Sequence, residues 1–313
     1  MAKFLVKRLL MGIVTLFVVA AITFFLMNLV PGGPFLSDKA PSPQVLAAME
    51  EKYGLDKPVI VQFGNWLGSI VQGDLGVSFK MQKNRPVLTI IGEMFPTSAK
   101  VGGIAIVWAL IVGITLGCVA AYNRGKLADS ILRVVTTIGV SLPTFVTASI
   151  FLVIFAGGVW NIFPSVVGTS KSWTALVLPC LTLGLNPMCN IARYTRSSML
   201  DALGQDYIRT ARAKGLSTTP ILFKHALRNA LIPVISYVGP LVASLLTGTF
   251  VVEVVFSIPG LGRYFVQSIS NRDYMLIMGT TIFLAAFVII VNILVDILYK
   301  VVDPRIDLTK GVD

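Results

Sequence analysis

The side chains that usually carry chemistry are few in this 313-residue chain. There is a single histidine, His225, so neither a membrane-embedded His–Ser protease nor a multi-histidine metal site is available. The cysteines, Cys118, Cys180 and Cys189, lack CxxC spacing and fall within apolar runs, where they read as small packing residues. No GxxxxGK[ST] occurs, so the chain has no P-loop and is not itself an ATPase. One stretch differs from the rest. Between Gln205 and Val234 the sequence QDYIRTARAKGLSTTPILFKHALRNALIPV gathers Arg209, Arg212, Lys214, Lys224 and Arg228. Its chemistry is that of a docking surface, with cations spaced along short helices.

Local rules divide that stretch into two helices. The first runs from about Asp206 to Lys214 and ends at Gly215, the residue best able to adopt a left-handed conformation after a helix. Thr219 is expected as the next N-cap, with Pro220 at the first helical position, where its missing N–H costs nothing. Phe223, Ala226, Leu227, Ala230 and Leu231 then share one face, with Lys224 and Arg228 opposite. Pro233 marks the return to apolar sequence.

The elements that must hold this loop are membrane spans. Hydrophobic residues make up 55% of the chain and charged ones only 13%, with mean hydropathy +0.81; soluble domains carry about 25% charged residues. Six runs reach the roughly 20 residues a bilayer requires: 9–30, 101–122, 134–159, 173–192, 232–255 and 275–298. The first is longer than a signal peptide's apolar core and reads as a retained anchor. Lys3, Lys7 and Arg8 precede it, and Arg124, Lys126 and Arg133 separate the second and third runs. Arg193, Arg196 and the basic loop lie between the fourth and fifth, and Lys300, Arg305 and Lys310 follow the sixth. Most of the 26 basic residues thus lie on one side, which places both termini and the 205–233 loop in the cytoplasm. The net charge of +11 is accounted for as a topology signal, and no nucleic-acid reading survives.

Within this frame, residues 31–100 form the long outer segment. Ser42-Pro43 and Asp56-Lys57-Pro58 read as helix starts, the second helix placing Phe63, Trp66, Leu67 and Ile70 on one face. Gly113, Gly117 and Ala121 form a small-residue face for close helix packing. Internal prolines, Pro143, Pro179, Pro187 and Pro240, mark spans three to five as the kinked, pathway-lining core, with span one peripheral. Asn292, Asp296 and Lys300 share a face of span six, and Asp296 reads as a local partner of Lys300 near the boundary.

The loop resembles the EAA loop of permease subunits in binding-protein-dependent ABC importers, dipeptide/oligopeptide branch. Anchored on Gly215, the Glu-Ala-Ala of the general pattern falls on Arg209, Thr210 and Ala211, so only the last alanine matches, and its proline falls five residues before Pro233. RTARAKG followed by HALRNALIPV is nonetheless similar to the peptide branch's own version. VPGGPF, GDLGVSF, SIPGLGRYFVQSISNRDY and the tail VVDPRID are also family-like.

The resemblance implies an all-α integral membrane fold, six transmembrane helices in a type I ABC importer core, as a single permease domain over 1–313. It implies a homologous second permease, two cytoplasmic ATPase subunits that hold ATP and Mg, an extracytoplasmic substrate-binding protein, and a peptide as cargo in the bacterial cytoplasmic (inner) membrane. It gives Arg209, Thr210, Ala211, Arg212, Lys214, Gly215 and Pro220 the role of ATPase coupling, with Ala211 a small residue facing the ATPase cleft. No cofactor or metal is expected on this chain. Sister permeases for nickel, glutathione or oligosaccharide share these motifs. The competing class is an ion-coupled secondary transporter, which needs midplane ionisable groups, and no run has an acidic residue at its centre.

Overall fold

The computed structural model describes residues 2–30, 44, 54–168, 172–247 and 250–302, with side chains from 5 to 298 within those ranges. VPGGPF, the Ser42-Pro43 helix start, the side chain of Lys300 and the tail VVDPRID lie wholly or largely outside them. The described residues are helical almost throughout. In chain order they form α1 (Ala2–Leu29), α2 (Val59–Val71), α3 (Val87–Tyr122), α4 (Leu127–Ser141), α5 (Thr144–Leu152), α6 (Val177–Leu203), α7 (Asp206–Ala213), α8 (Leu227–Leu246), α9 (Phe250–Val255), α10 (Leu261–Ser270) and α11 (Tyr274–Val302).

Among the described residues, five helical stretches are long and apolar enough to cross a membrane, and α4 with α5 and its π-helical extension Val153–Gly157, bent by 106°, makes a sixth when the pair is counted as one span. Three helices run well past the apolar runs that announce them. α3 begins at Val87 rather than 101, passing through Glu93, Pro96 and Lys100; α4 begins at Leu127, before Asp129 and Arg133; α6 continues to Leu203 through Arg193 and Arg196. Charged residues end a hydrophobic run without ending a helix.

Of the expected proline kinks, Pro143 marks the 106° bend within the third span, and Pro179 is corrected. Pro143 separates two helices: α4 ends at Ser141, and Pro143 sits with extended backbone as the N-cap of α5. The break leaves the Val140 carbonyl without its ladder donor, and the Asn186 amide of α6 donates to it instead at 3.0 Å. Pro179 is the third residue of α6, preceded by the 3₁₀ turn Trp173–Leu176, so it lies in a first turn whose N–H groups have no helical partner. Pro187 and Pro240 do lie inside helices, and Pro233, expected at a boundary, is also internal to α8. α3 carries Pro96 as well, outside the run assigned to span two.

The contacts group into two compact units. One contains Met1–Pro96 with Gly260–Ile293; the other contains Thr97–Pro259 and the last helix from Leu294. In the first unit, α2 lays Phe63 and Trp66 against Phe24 of α1, with ring centroids 5.2 and 5.6 Å away. In the second, α6 packs against α4, α5 and α8. The expected small-residue face of α3 meets α6: a β-carbon at Gly117 would lie 2.7 Å from the Ala192 carbonyl oxygen, and one at Gly113 would lie 2.8 Å from that of Met188. Such backbone approach is open only to glycine, and in lipid it replaces the hydrophobic effect as the source of helix association.

Candidate docking site

The basic loop folds as a compact helix–turn–helix on the ends of α3 and α6. α7 stops in a Schellman motif: the Gly215 N–H donates to the Arg212 carbonyl at 2.9 Å and the Leu216 N–H to that of Ala211 at 3.3 Å, with Gly215 at φ +77°. The next helical turn, Thr218–Pro220, has Ser217 at its N-cap, so the start precedes the expected Thr219 and Pro220 is its third residue. The chain then widens into a π-helical stretch, Ile221–Ala226, that runs directly into α8.

That widened turn changes which residues face inward. Phe223, expected on the apolar face, is 61% exposed, and Ile221 is buried in its place with Ala226 and Ala230. A π turn spends an extra residue, so the phase of an α-helical pattern slips across it. Ala211 is the second correction. It is only 6% exposed and packs with Ile208, Ile221 and Met199, so it faces the chain's own core and not an open cleft.

Arg209, Thr210, Arg212 and Lys214 are exposed on the outer side of α7. Thr210 Oγ1 donates back to the Asp206 carbonyl at 3.0 Å, and Arg209 lies 3.4 Å from Asp206 in a solvated pair. Asn229 of α8 donates to the Tyr207 hydroxyl at 3.0 Å, tying the two arms together. Arg212 also borders a cavity of about 490 Å³ lined by Tyr122, Leu203, Thr218 and Leu222. An apolar inner face holds the loop in place while cations and the exposed Phe223 ring form the outer one. Such a surface suits a protein partner more than a small substrate.

Sequence reasoning missed the polar interior behind the loop. Asp129 at the start of α4 is 1% exposed and takes a two-pronged bond from Arg196 of α6, Nε to Oδ1 at 2.6 Å and Nη2 to Oδ2 at 2.9 Å. The Gly125 N–H donates to Oδ2 at 3.0 Å, so both carboxylate oxygens are engaged. Beside this pair α3, α4 and α6 enclose a cavity of about 570 Å³ whose lining includes Arg133, Thr137, Asn190, Arg193 and Ser197. The signal available in sequence was the acid Asp129 within a basic segment.

Elsewhere, charged residues in and beside the SIPGLGRYFVQSISNRDY stretch serve the fold. Glu253 is buried within α9, Asp273 is fully buried at the start of α11, and Arg263 lies on α10. Asp296 lies on α11. Cys180 and Cys189 are buried and Cys118 is partly so, all unpaired; Cys189 Sγ sits where a β-carbon of Gly139 would be, a packing contact.

Family models match both parts of the chain. Residues 113–308 fit the inner membrane component of binding-protein-dependent transport systems, and residues 1–102 fit the N-terminal part of such membrane components. The chain belongs to this permease family. It is 44% identical over 310 residues to the dipeptide transport system permease protein DppB of Bacillus subtilis, covering 99% of each chain. It is 42% identical over 313 residues to the oligopeptide transport system permease protein OppB of Haemophilus influenzae, covering 98% of this chain and 99% of that one. In three dimensions it matches a chain of the MetNI methionine ABC transporter, seen in inward-facing conformations, with a TM-score of 0.53 at 16% identity. That match covers 69% of this chain and 97% of the other. The permease is therefore a multi-pass membrane protein with the fold of an ABC importer subunit.

Proposed function

We propose that this permease is the membrane subunit through which an ATP-driven importer moves peptides, oligopeptides first among them. The observation that carries the reading is full-length similarity to a dipeptide and an oligopeptide permease at 44% and 42% identity. The docking surface supports the rest. An anchored loop with an exposed basic and aromatic face is what a chain without a P-loop needs to receive work from an ATPase. A homologous permease pairs with this one, two ATPase subunits bind ATP and Mg below, and an extracytoplasmic binding protein delivers peptide. Both termini and the loop lie in the cytoplasm, as the basic residues indicate.

The mechanism is alternating access. Closure of the ATPases on ATP moves the loop built on Arg209, Thr210, Arg212, Lys214 and Gly215, and its continuity with α8 carries that motion into the membrane. The α4–α5 break at Pro143 and the prolines within α6 and α8 give the pathway helices places to bend.

The experiment is uptake of a labelled oligopeptide into vesicles holding the complete transporter. Replacing the P-loop lysine of the partner ATPase should abolish uptake with the ion gradient intact. Uptake that follows a proton or sodium gradient and ignores ATP would sink the proposal. Reporters fused after Gly168 and Gly215 should read outside and inside, respectively; the reverse pair would overturn the orientation.

A further inference from the structure

α6 has a polar face that its neighbours in this chain cover only in part, the Asn186 amide donating to the Val140 carbonyl of α4 at 3.0 Å. Asn186, Asn190, Arg193 and Ser197 follow one another at helical spacing, and Arg193 and Ser197 are exposed. The face passes from the end of the apolar run, at Asn186 and Asn190, into the basic segment beyond residue 192, where Arg193 and Ser197 lie. Across the 570 Å³ cavity, α4 contributes Arg133 and Thr137.

The charges in this cavity do not cancel. Arg196 is consumed by Asp129, whose two oxygens are already engaged. Arg133 reaches Asp129 only at 3.8 Å and remains over half exposed. Arg193 makes no ion pair among the described residues, which leaves two cations facing one aqueous space. Asn190 is held by its own helix, its amide donating to the Asn186 carbonyl at 3.1 Å and to the Asn186 side-chain oxygen at 2.9 Å. Asn190 lines the cavity with both arginines.

We infer that this cavity is a cargo site in which Arg193 and Arg133 take the C-terminal carboxylate of a peptide, while Asn190 and Thr137 meet its backbone amides. The inference rests on the peptide reading above. The carboxylate and the amide groups are what peptides of every sequence share, so a path that ignores side chains can still hold its cargo by them. A guanidinium gives a carboxylate two parallel N–H donors. An anionic lipid headgroup carries the same charge, but it would bring acyl chains and require an apolar track beside the cations. Leu116, Ala120, Leu132 and Ala192 are in the lining too, so vesicles of differing anionic lipid content separate the two ligands, while Thr137 and Asn190 are the groups that only a peptide backbone would use.

The test compares uptake of trialanine with that of trialanine amide by the complete transporter in proteoliposomes. The same binding protein serves every variant, so a change in the acid-to-amide ratio reports the permease alone. Arg193→Gln should lower that ratio on the order of fivefold, as loss of a charge-assisted hydrogen bond in a wet site implies, and Arg133→Gln should lower it less. Arg193→Lys, which keeps the charge, should retain a ratio above that of Arg193→Gln; Arg124→Gln, outside the cavity, should leave it at the wild-type value. A ratio unchanged in both Gln variants overturns the inference while leaving the peptide reading intact. So does an equal loss of both substrates that tracks the anionic lipid content of the vesicles, which would make this a lipid site. If the wild-type transporter imports neither peptide, the peptide reading itself fails.

Discussion

Asp273 accepts a hydrogen bond from the Ser78 hydroxyl across a chain separation of 195 residues, with both side chains buried. The same carboxylate takes the backbone N–H groups of Phe79, Lys80 and Met81 at 3.0–3.1 Å. Its backbone carbonyl accepts the Ile277 N–H of α11 at 2.9 Å. The stretches GDLGVSF and NRDY are thus halves of one joint, in which a buried charge is satisfied by a ring of donors.

Removing the acceptor should cost more than removing one donor. Asp273→Ala leaves three part-buried N–H groups and the buried Ser78 hydroxyl unpaired and is expected to destabilise the protein by about 3 kcal/mol, against about 1 kcal/mol for Ser78→Ala. Thermal unfolding in detergent measures both. Equal midpoints for the two variants would show that the carboxylate is not the hub.

In the Asp129–Arg196 pair only the carboxylate is buried, Arg196 being 23% exposed. Arg196→Ala strands the buried charge and should cost about 3 kcal/mol, and Asp129→Ala, which leaves a guanidinium that reaches water, should cost less. The double variant strands none, so its loss should fall well short of the sum, which a double-mutant cycle on detergent-solubilised protein reads directly. Strict additivity would mean that the two side chains do not interact.

At the α3–α6 crossing, volume is the limit. Gly117→Val forces a side chain against the Ala192 carbonyl and Thr195 and is expected to cost 1–3 kcal/mol or more by overpacking. Val119→Ala on the exposed side of α3 is the control and should be nearly neutral. The amount of folded protein recovered from membranes reports both. Wild-type recovery of Gly117→Val would mean that the helices do not meet there.

Gly215 and Ala211 should now separate. A β-carbon at Gly215 meets nothing within 4 Å, so Gly215→Trp pays the left-handed backbone penalty of roughly 1 kcal/mol and then projects outward. It should spare folding and lose co-purification with the ATPase subunits. Ala211→Glu places a carboxylate in the apolar cluster under the loop and should lower stability before any question of docking arises. A stable Ala211→Glu subunit that merely fails to bind ATPase would restore the cleft-facing reading of that residue.

The sequence by itself determined what depends on neighbouring residues. Hydrophobic runs located the membrane-crossing helices, because a bilayer demands length and greasiness from each segment alone. Gly215 announced its turn, because the left-handed conformation is a property of one residue. Gly113 and Gly117 announced a crossing, though not its partner. The extents of α3, α4 and α6 were hidden, since Glu93, Asp129, Arg133, Arg193 and Arg196 break a hydropathy pattern without breaking a helix. Only the tertiary structure decided that Ala211 points inward, where Met199, Ile208 and Ile221 pack around it, and that Phe223 points outward, because a π turn resets the helical phase. It alone paired Asp129 with Arg196 and Ser78 with Asp273, residues far apart in the chain. Where water is excluded, a polar group's partner is whichever donor or acceptor packing brings within about 3 Å, and no local pattern encodes that choice.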